Sequence, residues 1–464
     1  MRRSPPFLVI LMWLTLGGPA ALAAPPALPT QAPAPIVLGH AIAALTGPWS
    51  FHLGDDPHWK DAVFDDADWE HVDLTPRPGA HDPDVGLKGY VPGWNARGHR
   101  GYAGYAWYRL RVTVQAPAGQ ALALEGPPYV DGAYQLFLDG RLLGGAGRFD
   151  CATPKVYGRQ PRLFPLPPDA FAHGPGLLAI RVYTDPALVA GDPKAGGIHI
   201  APEIGDTEAV RGQHQQRWTE VFWGYAVDGT EALIFLALAG MAAVLAAFDR
   251  PRARTYPWLA AALMVTGLER GNQNVFFWLQ VETLPVFLVV RSVILIPLEL
   301  GAWAMTWRSW FGLPRPRPIA WAIAGLTLIY VTCQLIRVAG LYAPPRLPSA
   351  VLKDLVLAVR LCFLALMLLS AGWGLARGRA VAAAVAALLI VGVGLFSQEL
   401  SLLGVRGIWF PFGVGVSLTE YAYAVFDGVL FALLLTALLR VASARATDEA
   451  ARRALDSPAT GAVR

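Results

Sequence analysis

Ionisable residues interrupt several apolar runs in the second half of this chain. A charged group inside a membrane segment is costly, so it normally faces another polar group or a water-filled space. Lys353 and Arg360 are seven residues apart, as are Glu420 and Asp427, and this spacing places each pair on one face of a helix. The pattern predicts an intramembrane polar network made of Glu269, Arg270, Arg291, Glu299, Lys353, Arg360, Glu399, Glu420 and Asp427.

The depth of these residues bears on what such a network could do. Counted along helices that rise 1.5 Å per residue, most of them lie in the outer half of their runs, and Glu299 and Asp427 lie deeper. One interpretation is a polar cavity, open to the outside, in which charge pairs hold alternative helix arrangements. The other is a static set of ion pairs that fixes helix packing. The sequence favours neither.

The elements that must position this network are seven apolar windows, each long enough to cross a hydrocarbon core of about 30 Å. Arginines follow the first, third, fifth and seventh windows, which by the positive-inside rule places the N-terminus outside and the C-terminus in the cytoplasm. We therefore predict an all-α bundle of seven transmembrane helices. The windows lie at about 230–248, 256–279, 284–307, 319–341, 350–374, 380–403 and 413–439.

Composition agrees with a membrane protein. The 464 residues are 54% hydrophobic and 16% charged, with a mean hydropathy of +0.40, which excludes an ordinary soluble enzyme. The net charge of +4 is uneven, because residues 24–222 carry 16 basic and 21 acidic groups whereas residues 223–464 carry 20 basic and 13 acidic groups. The two halves are thus expected to face different compartments, and nucleic-acid binding is not needed to explain the basic balance.

The N-terminus has the features of a secretory signal. Arg2 and Arg3 precede an apolar run and a small-residue site at 21–23, so we expect a signal peptide over 1–23; an uncleaved anchor is the alternative. A Pro/Ala-rich linker (24–39), a β domain (40–205) and a connector (206–229) follow. After the bundle (230–441), the short cytoplasmic tail (442–464) could extend the last helix, although a solvated end is favoured.

Residues 40–205 alternate short strand-like runs with Gly, Pro and Asp, which is typical of a β-sandwich. One such run is Tyr105–Val114, and Asp139-Gly140 is a strong hairpin signal. The progression F-D-D-x-x-W (Phe64–Trp69), W-Y-R (Trp107–Arg109) and L-x-G (Leu138–Gly140) resembles the galactose-binding-like jelly roll that family 2 glycosidases use as an N-terminal sugar-binding domain. That resemblance implies an exported all-β jelly-roll sandwich in which Trp69 and Trp107 pack inside, while Asp65, Asp66 and Asp68 cap a short turn.

Sugar recognition uses flat aromatic faces and hydrogen-bond donors at a loop rim, and the Gly-rich segment 89–105 interleaves both. The alternative is that each of these residues fills a gap over the sandwich. No CxxC, HExxH or His/Cys cluster occurs, so we predict no catalytic residue, metal site or cofactor. The predicted ligand-binding residues are Trp94, Asn95, Arg97, Arg100, Tyr102, Tyr105, Tyr129 and Asp131.

The whole chain resembles the bacterial seven-transmembrane receptors with diverse intracellular signalling modules. This resemblance implies a receptor in the bacterial inner membrane, with a periplasmic β domain that senses a ligand; the jelly-roll resemblance implies that this ligand is a carbohydrate. Members of that family usually carry an output domain after the seventh helix, whereas 24 residues follow Arg440 here. The expected partners are therefore the bilayer, an extracytoplasmic small molecule or glycan and a separate histidine kinase or diguanylate cyclase. The alternatives are an accessory binding protein and, less favoured, a membrane-tethered glycosidase.

Overall fold

The computed structural model describes residues 36–37, 41–83, 85–117, 119–172, 174–249, 252–343, 349–378, 381–405, 407–409 and 416–456. The predicted signal peptide and most of the predicted linker lie outside these ranges. The described part has a β-rich N-terminal region and a helical C-terminal region, which confirms the predicted order of the two.

In the described residues, two larger antiparallel sheets account for most of the β domain. Its strands are β1 (Ile36–Val37), β2 (Ile42–Ala44), β3 (Trp49–Leu53), β4 (Glu70–Val72), β5 (Gly104–Val112), β6 (Val114–Gln115), β7 (Leu122–Glu125), β8 (Val130–Asp131), β9 (Ala133–Leu138), β10 (Arg141–Ala146), β11 (Leu163–Pro165), β12 (Gly176–Thr184), β13 (Gly197–Ile198) and β14 (Glu203–Asp206). Six strands have the order β10-β9-β12-β5-β3-β4, and four have the order β11-β7-β14-β2. The other four form two short pairs, β1 with β6 (parallel) and β8 with β13 (antiparallel).

Both sheets contribute to one hydrophobic core. Tyr108 and Ile180 of the six-stranded sheet pack with Leu124 and Ile204 of the four-stranded sheet. Strand β12, with eight of its nine residues buried, lies between β9 and β5, as expected for a strand with neighbours on both edges. The Asp139-Gly140 hairpin is confirmed, since Arg141 pairs with Leu138 and both turn residues have positive φ, 49° and 81°.

Trp69 and Trp107 are buried, as predicted, in a small cluster with Phe137 and Ala179. The neighbouring aspartates divide their roles. Asp65 accepts a hydrogen bond from the Ala67 N–H (3.1 Å), which is the predicted capping. Asp66 instead accepts from Arg111 at 2.7 Å.

All but one of the α-helices in the described residues follow the sheets; the exception, a short helix at Pro186–Val189, lies between β12 and β13. They are α1 (Pro186–Val189), α2 (Thr207–Phe248), α3 (Tyr256–Asn274), α4 (Leu284–Leu288), α5 (Ile296–Trp310), α6 (Pro316–Tyr342), α7 (Ser349–Ala376), α8 (Ala382–Leu395), α9 (Ser397–Leu402) and α10 (Leu418–Asp456). π-helical segments continue α3 (Val275–Leu279) and join α4 to α5 (Val289–Leu295). Two short strands, β15 (Ile408–Trp409) and β16 (Val416–Ser417), precede α10.

Among the residues that the structure describes, five helical segments are long and apolar enough to cross a membrane: Thr207–Phe248, Leu284–Trp310, Pro316–Tyr342, Val351–Ala376 and Leu418–Arg452. They coincide with five of the seven predicted windows. The window at 256–279 forms α3, which carries the adjacent charges Glu269 and Arg270. The window at 380–403 forms α8, an apolar helix of 14 residues, and then α9. The structure thus supports five crossings by length and composition.

The helices pack in a closed order. Helix α2 contacts α3, which contacts α5, and the sequence of contacts continues through α6, α7, α8 and α10 back to α2. The β domain lies against one end of this bundle, where Val221 of α2 and Phe276 pack with Ile200. Arg252 of the α2–α3 connection and Arg440 of α10 lie together at the other end.

The predicted connector 206–229 is the first part of α2. Asp206, the last residue of β14, caps this helix by accepting hydrogen bonds from the N–H groups of Glu208 (3.1 Å) and Ala209 (3.3 Å). The 42 residues of α2 correspond to about 63 Å at the α-helical rise. A single helix therefore connects the four-stranded sheet to the far end of the bundle.

Candidate functional site

A polar cavity of about 390 Å³ lies among the helices at the end that faces the β domain. Seven members of the predicted network line it: Glu269, Arg270, Arg291, Glu299, Lys353, Arg360 and Glu399. Glu420 lines an adjoining cavity of about 430 Å³, which shares Arg270 and Arg291 with the first. Asp427 is buried but lines neither cavity. The structure thus brings together most of the charges that the sequence distributes over five helices.

Arg270 is at the centre of the charge network. Its Nη1 donates to Asp228 Oδ1 at 2.8 Å, and its Nε lies 3.6 Å from carboxylate oxygens of both Glu231 and Glu269. Its guanidinium also lies over the Tyr423 ring, 5.0 Å from the centroid. Asp228 was not predicted as part of the network, because it precedes the first apolar window by two residues.

Arg291 reaches the cavity from a π-helical segment. Its Nε donates to Glu269 Oε1 at 2.8 Å. π-Helical turns shift the direction of the side chains that follow them and recur at functional sites. Glu269 therefore lies between two guanidinium groups, those of Arg270 and Arg291.

Glu299, one of the two residues predicted to lie deepest, is buried and bonded to neutral donors. The Thr266 hydroxyl donates to Glu299 Oε1 at 2.7 Å, and Tyr423 Oη lies 3.5 Å from the same oxygen. Thr266 in turn accepts from the Trp303 indole N–H at 3.0 Å. This chain of contacts connects α3, α5 and α10 in the interior.

Arg360 and Glu399 form a bidentate pair between α7 and α9. Arg360 Nη2 donates to Glu399 Oε2 at 2.8 Å, and Arg360 Nε donates to the other carboxylate oxygen. Arg360 Nη2 also donates to the Leu395 carbonyl at 2.7 Å. Lys353 lines the same cavity, which agrees with the prediction that Lys353 and Arg360 share a helix face.

Glu420 and Asp427 have different surroundings. Glu420 accepts from the Ser417 N–H at 2.8 Å, at the start of α10. Asp427, two turns further, has no hydrogen-bond partner for either carboxylate oxygen among the described residues.

In the β domain, the predicted ligand residues Trp94 and Asn95 are buried. The Trp94 indole N–H donates to the Tyr102 carbonyl at 3.1 Å. The Asn95 side chain donates to the Asp192 carbonyl at 2.7 Å and accepts from the Gly101 N–H at 2.8 Å. These polar groups hold the loop together.

The other predicted residues of this loop are more accessible. Arg97 donates to the Asp73 carbonyl at 2.9 Å, and Arg100 is exposed. The Tyr102 hydroxyl donates to the Tyr105 carbonyl at 2.8 Å. The Tyr105 ring lies under the Arg181 guanidinium, with 4.4 Å between the guanidinium carbon and the ring centroid. A ligand role for this set stays a prediction.

Tyr129 and Asp131, the remaining pair, belong to a compact cluster near the bundle. Asp131 Oδ2 lies 2.9 Å from His199 Nε2 and accepts from the Gly196 N–H at 2.8 Å. Burial opposes ionisation of Asp131, but His199, Arg159 and this N–H together hold its pKa below the usual value.

Aromatic stacking completes that cluster. The Tyr90 ring stacks on His199 at 4.9 Å, and burial together with the Asp131 charge raises the pKa of Tyr90 to about 12. Arg159 covers the Tyr129 ring at 3.8 Å. Tyr129 also packs in the apolar cluster that the β domain shares with α2 and Phe276, so this part of the β domain contacts the bundle directly.

Polar contacts join the two domains. Gln160 donates to the carbonyls of Phe277 (2.9 Å) and Trp278 (3.0 Å), and Gln280 donates back to the Gly158 carbonyl at 2.7 Å. A Cβ at Gly158 would lie 2.4 Å from the Phe276 carbonyl oxygen, so the backbones approach as closely as glycine allows. The end of α3 therefore fits against a loop of the β domain.

Comparisons with known proteins give similarity over part of the chain. No family model and no curated protein matches it. Among solved structures, β-glucuronidase 2 of Bacteroides uniformis is 19% identical over 35% of this chain and 17% of its own, with a TM-score of 0.27. The β-glucuronidase of Bifidobacterium dentium is 18% identical over 35% and 29%, with a TM-score of 0.26. A family 2 glycosyl hydrolase of Bacteroides cellulosilyticus is 18% identical over 35% and 20%, with a TM-score of 0.23. The chain spans less than a third of the length of each.

Proposed function

We propose that this protein is a bacterial seven-transmembrane signalling receptor, whose extracytoplasmic β domain senses a ligand and whose helices pass the signal to a separate cytoplasmic effector. In this proposal α3 and α8 cross the inner membrane with the five longer segments. The β domain is periplasmic and the C-terminus cytoplasmic, because Arg252, Arg440 and Arg445 lie at the bundle end away from the β domain.

The observation that carries the proposal is the direct connection between the β domain and α2. Arg217 of α2 donates to Glu125 of β7 and to Glu203 of β14, at 2.6 Å each. A movement of the four-stranded sheet would therefore move α2, since these bonds fasten the helix to two strands. An anchor for an accessory protein would need no such attachment.

A second route leads from the predicted ligand loop to the cavity. Asn95 is bonded to the carbonyls of Val189 and Asp192, on either side of Gly191. Gly191 has φ +93°, and a Cβ there would lie 3.0 Å from Lys353 Nζ. A ligand that shifts the loop around Asn95 would thus shift the segment that contacts a cavity residue.

A carbohydrate is the proposed ligand class, on the resemblance of the β domain to a sugar-binding jelly roll. Exposed or half-exposed Arg97, Arg100 and Tyr105 offer donors and an aromatic ring for it. We do not propose catalysis, since the similarity to glycosidases covers about a third of this chain.

The test uses the full chain in nanodiscs, with its three cysteines, Cys151, Cys333 and Cys362, replaced. Spin labels at Ala253→Cys and Ala446→Cys report the distance between the α2–α3 connection and α10. A panel of glycans and cell-wall fragments is first screened by thermal shift. We expect a stabilising glycan to change the distance distribution. Stabilisation without a change would indicate an accessory binding protein, and failure of every glycan would overturn the carbohydrate proposal.

A further inference from the structure

The bundle cavity has more cations than its own carboxylates neutralise. Of the residues that the structure describes, three carboxylates line it, those of Glu269, Glu299 and Glu399. Five cationic side chains line it as well: Arg270, Arg291, Arg337, Lys353 and Arg360.

Three of the cations have carboxylate partners. Arg270 pairs with Asp228, Arg291 with Glu269, and Arg360 with Glu399. These pairs leave Glu299, which accepts its hydrogen bonds from Thr266 and Tyr423. Each of the three guanidinium groups therefore already has a carboxylate partner within the protein.

Arg337 and Lys353 differ from them. Within the part of the chain that the structure describes, neither forms an ion pair with a carboxylate. Arg337 Nη1 donates to the Gln334 Oε1 at 2.8 Å, a neutral acceptor. Arg337 lies near the C-terminal end of α6 and Lys353 near the N-terminal end of α7, and these two helices are in contact. Two uncompensated cations therefore lie on neighbouring helices of one cavity wall.

The rest of the lining suits a hydroxylated molecule. Gln334, Ser397 and Gln398 add amide and hydroxyl groups to the same cavity. A volume of about 390 Å³ is in the range of small-molecule sites. Cations without carboxylate partners would pair with the charge of an anionic ligand, and the neutral amide and hydroxyl groups beside them would hydrogen-bond to its hydroxyl groups. The lining therefore favours a polar anion.

We propose that this cavity binds a small, hydroxyl-bearing organic anion whose carboxylate or phosphate group lies between Arg337 and Lys353. Gly191 of the β domain borders Lys353, so the β domain reaches the edge of the cavity where the anion binds. Binding here does not require the β domain to bind a glycan, so this proposal and the receptor proposal can fail separately.

The first experiment compares two probes that differ by one carboxylate. Gluconate, with sorbitol as the neutral control, is added to the full chain in lipid-free detergent, and inorganic phosphate is a third arm. We expect gluconate or phosphate to raise the Tm in a saturable way and sorbitol to leave it unchanged. Equal effects of gluconate and sorbitol, or no effect of either anion, would overturn the proposal.

Variants then locate the site. Arg337→Gln and Lys353→Gln should weaken the apparent anion affinity at least tenfold, whereas Arg211→Gln, on the exposed part of α2, should leave it unchanged. Without anion and at low salt, both cavity variants should be as stable as the parent or more so, because each removes an uncompensated charge. Arg360→Gln should lower the Tm, since it leaves the Glu399 carboxylate without its cationic partner. If both cavity variants keep the full anion effect, the anion binds elsewhere and the proposal is overturned.

A lipid headgroup carries the same phosphate chemistry and needs its own arm. Phosphatidylglycerol nanodiscs are compared with phosphatidylcholine nanodiscs, each with and without gluconate. We expect the gluconate effect to persist in both. If phosphatidylglycerol alone stabilises the protein in an Arg337-dependent way and gluconate does nothing, the cations bind lipid and the proposal fails.

Discussion

Arg217 Nη1 lies 2.6 Å from Oε2 of Glu125, a carboxylate that is fully buried in the β domain. This pair connects α2 to the four-stranded sheet. Arg217 also pairs with Glu203, and His214 Nδ1 lies 3.3 Å from the Glu125 carboxylate. Burial raises the pKa of Glu125 to about 7, against the opposing effect of the Arg217 charge.

Loss of Arg217 should therefore be costly and pH-dependent. Arg217→Gln leaves a buried carboxylate without its cation, which we expect to lower the free energy of unfolding by about 3–5 kcal/mol at pH 8. At pH 5 the loss should be smaller, because Glu125 is then protonated. Urea titrations of the full chain in detergent measure both. Arg211→Gln, which affects an exposed pair with Glu208, is the matched control.

The raised pKa of Glu125 also predicts the direction in which the stability of the parent protein changes with pH. The folded state holds the Glu125 proton more tightly than the unfolded chain, whose value is 4.5. The contribution of Glu125 to the free energy of unfolding therefore falls as the pH rises between about 4.5 and about 7. Glu125→Gln should remove this dependence; an unchanged pH profile in that variant would contradict the assignment.

Asp131 is expected to stabilise the β domain whatever its role toward a ligand. Asp131→Asn should lower the free energy of unfolding by about 2 kcal/mol at pH 7, because it removes a charged acceptor from His199 and Gly196. Since the pKa of Asp131 is lowered from 3.8, this contribution is present above that pH and is lost as the pH falls below it. Asp73→Asn, at an exposed position, is the control.

The contact at Gly158 predicts how firmly the two domains are joined. Gly158→Ala should separate the β domain from the end of α3, because its Cβ would overlap the Phe276 carbonyl. Hydrogen exchange should then increase in residues 156–160 and 276–284. Gly212→Ala, where a Cβ meets open space on α2, should leave exchange at this interface unchanged. Equal exchange in both variants would indicate that the contact is not needed for docking.

The Arg360–Glu399 pair should show strong coupling. Arg360→Gln alone is expected to cost about 3–5 kcal/mol, whereas the double variant with Glu399→Gln should cost less, because no charge is left without a partner. A double-mutant cycle on thermal stability measures this coupling. Additive losses would mean that the two side chains act independently.

Topology can be tested by cysteine labelling. In a cysteine-free background, a membrane-impermeant maleimide added to intact spheroplasts should label Val63→Cys, which is 96% exposed on the β domain. It should leave Ala446→Cys unlabelled until the membrane is permeabilised. Labelling of both sites from outside, or of Ala446→Cys alone, would overturn the proposed orientation.

Part of the site could be predicted from sequence because charge inside apolar segments has few favourable surroundings. Glu269, Arg291 and Arg360 were expected to meet partners, and they do. Asp228 was missed because no pattern relates a residue at the edge of an apolar window to Arg270, 42 residues later. The π-helical segment that aims Arg291 was also beyond prediction, since local apolar periodicity does not distinguish it from an α-helix.

The order of a β domain and apolar helices follows from local sequence, because hydrophobic periodicity and composition are local properties of the chain. The gathering of the charges in the apolar helices follows as well, since isolated charges there are too costly. Only the three-dimensional fold shows that α2 begins at the sheet, that Trp94 and Asn95 are buried, and that Arg337 and Lys353 lack carboxylate partners within the described residues. Each of these depends on which distant segments pack together, and packing across tens of residues leaves no trace in local spacing.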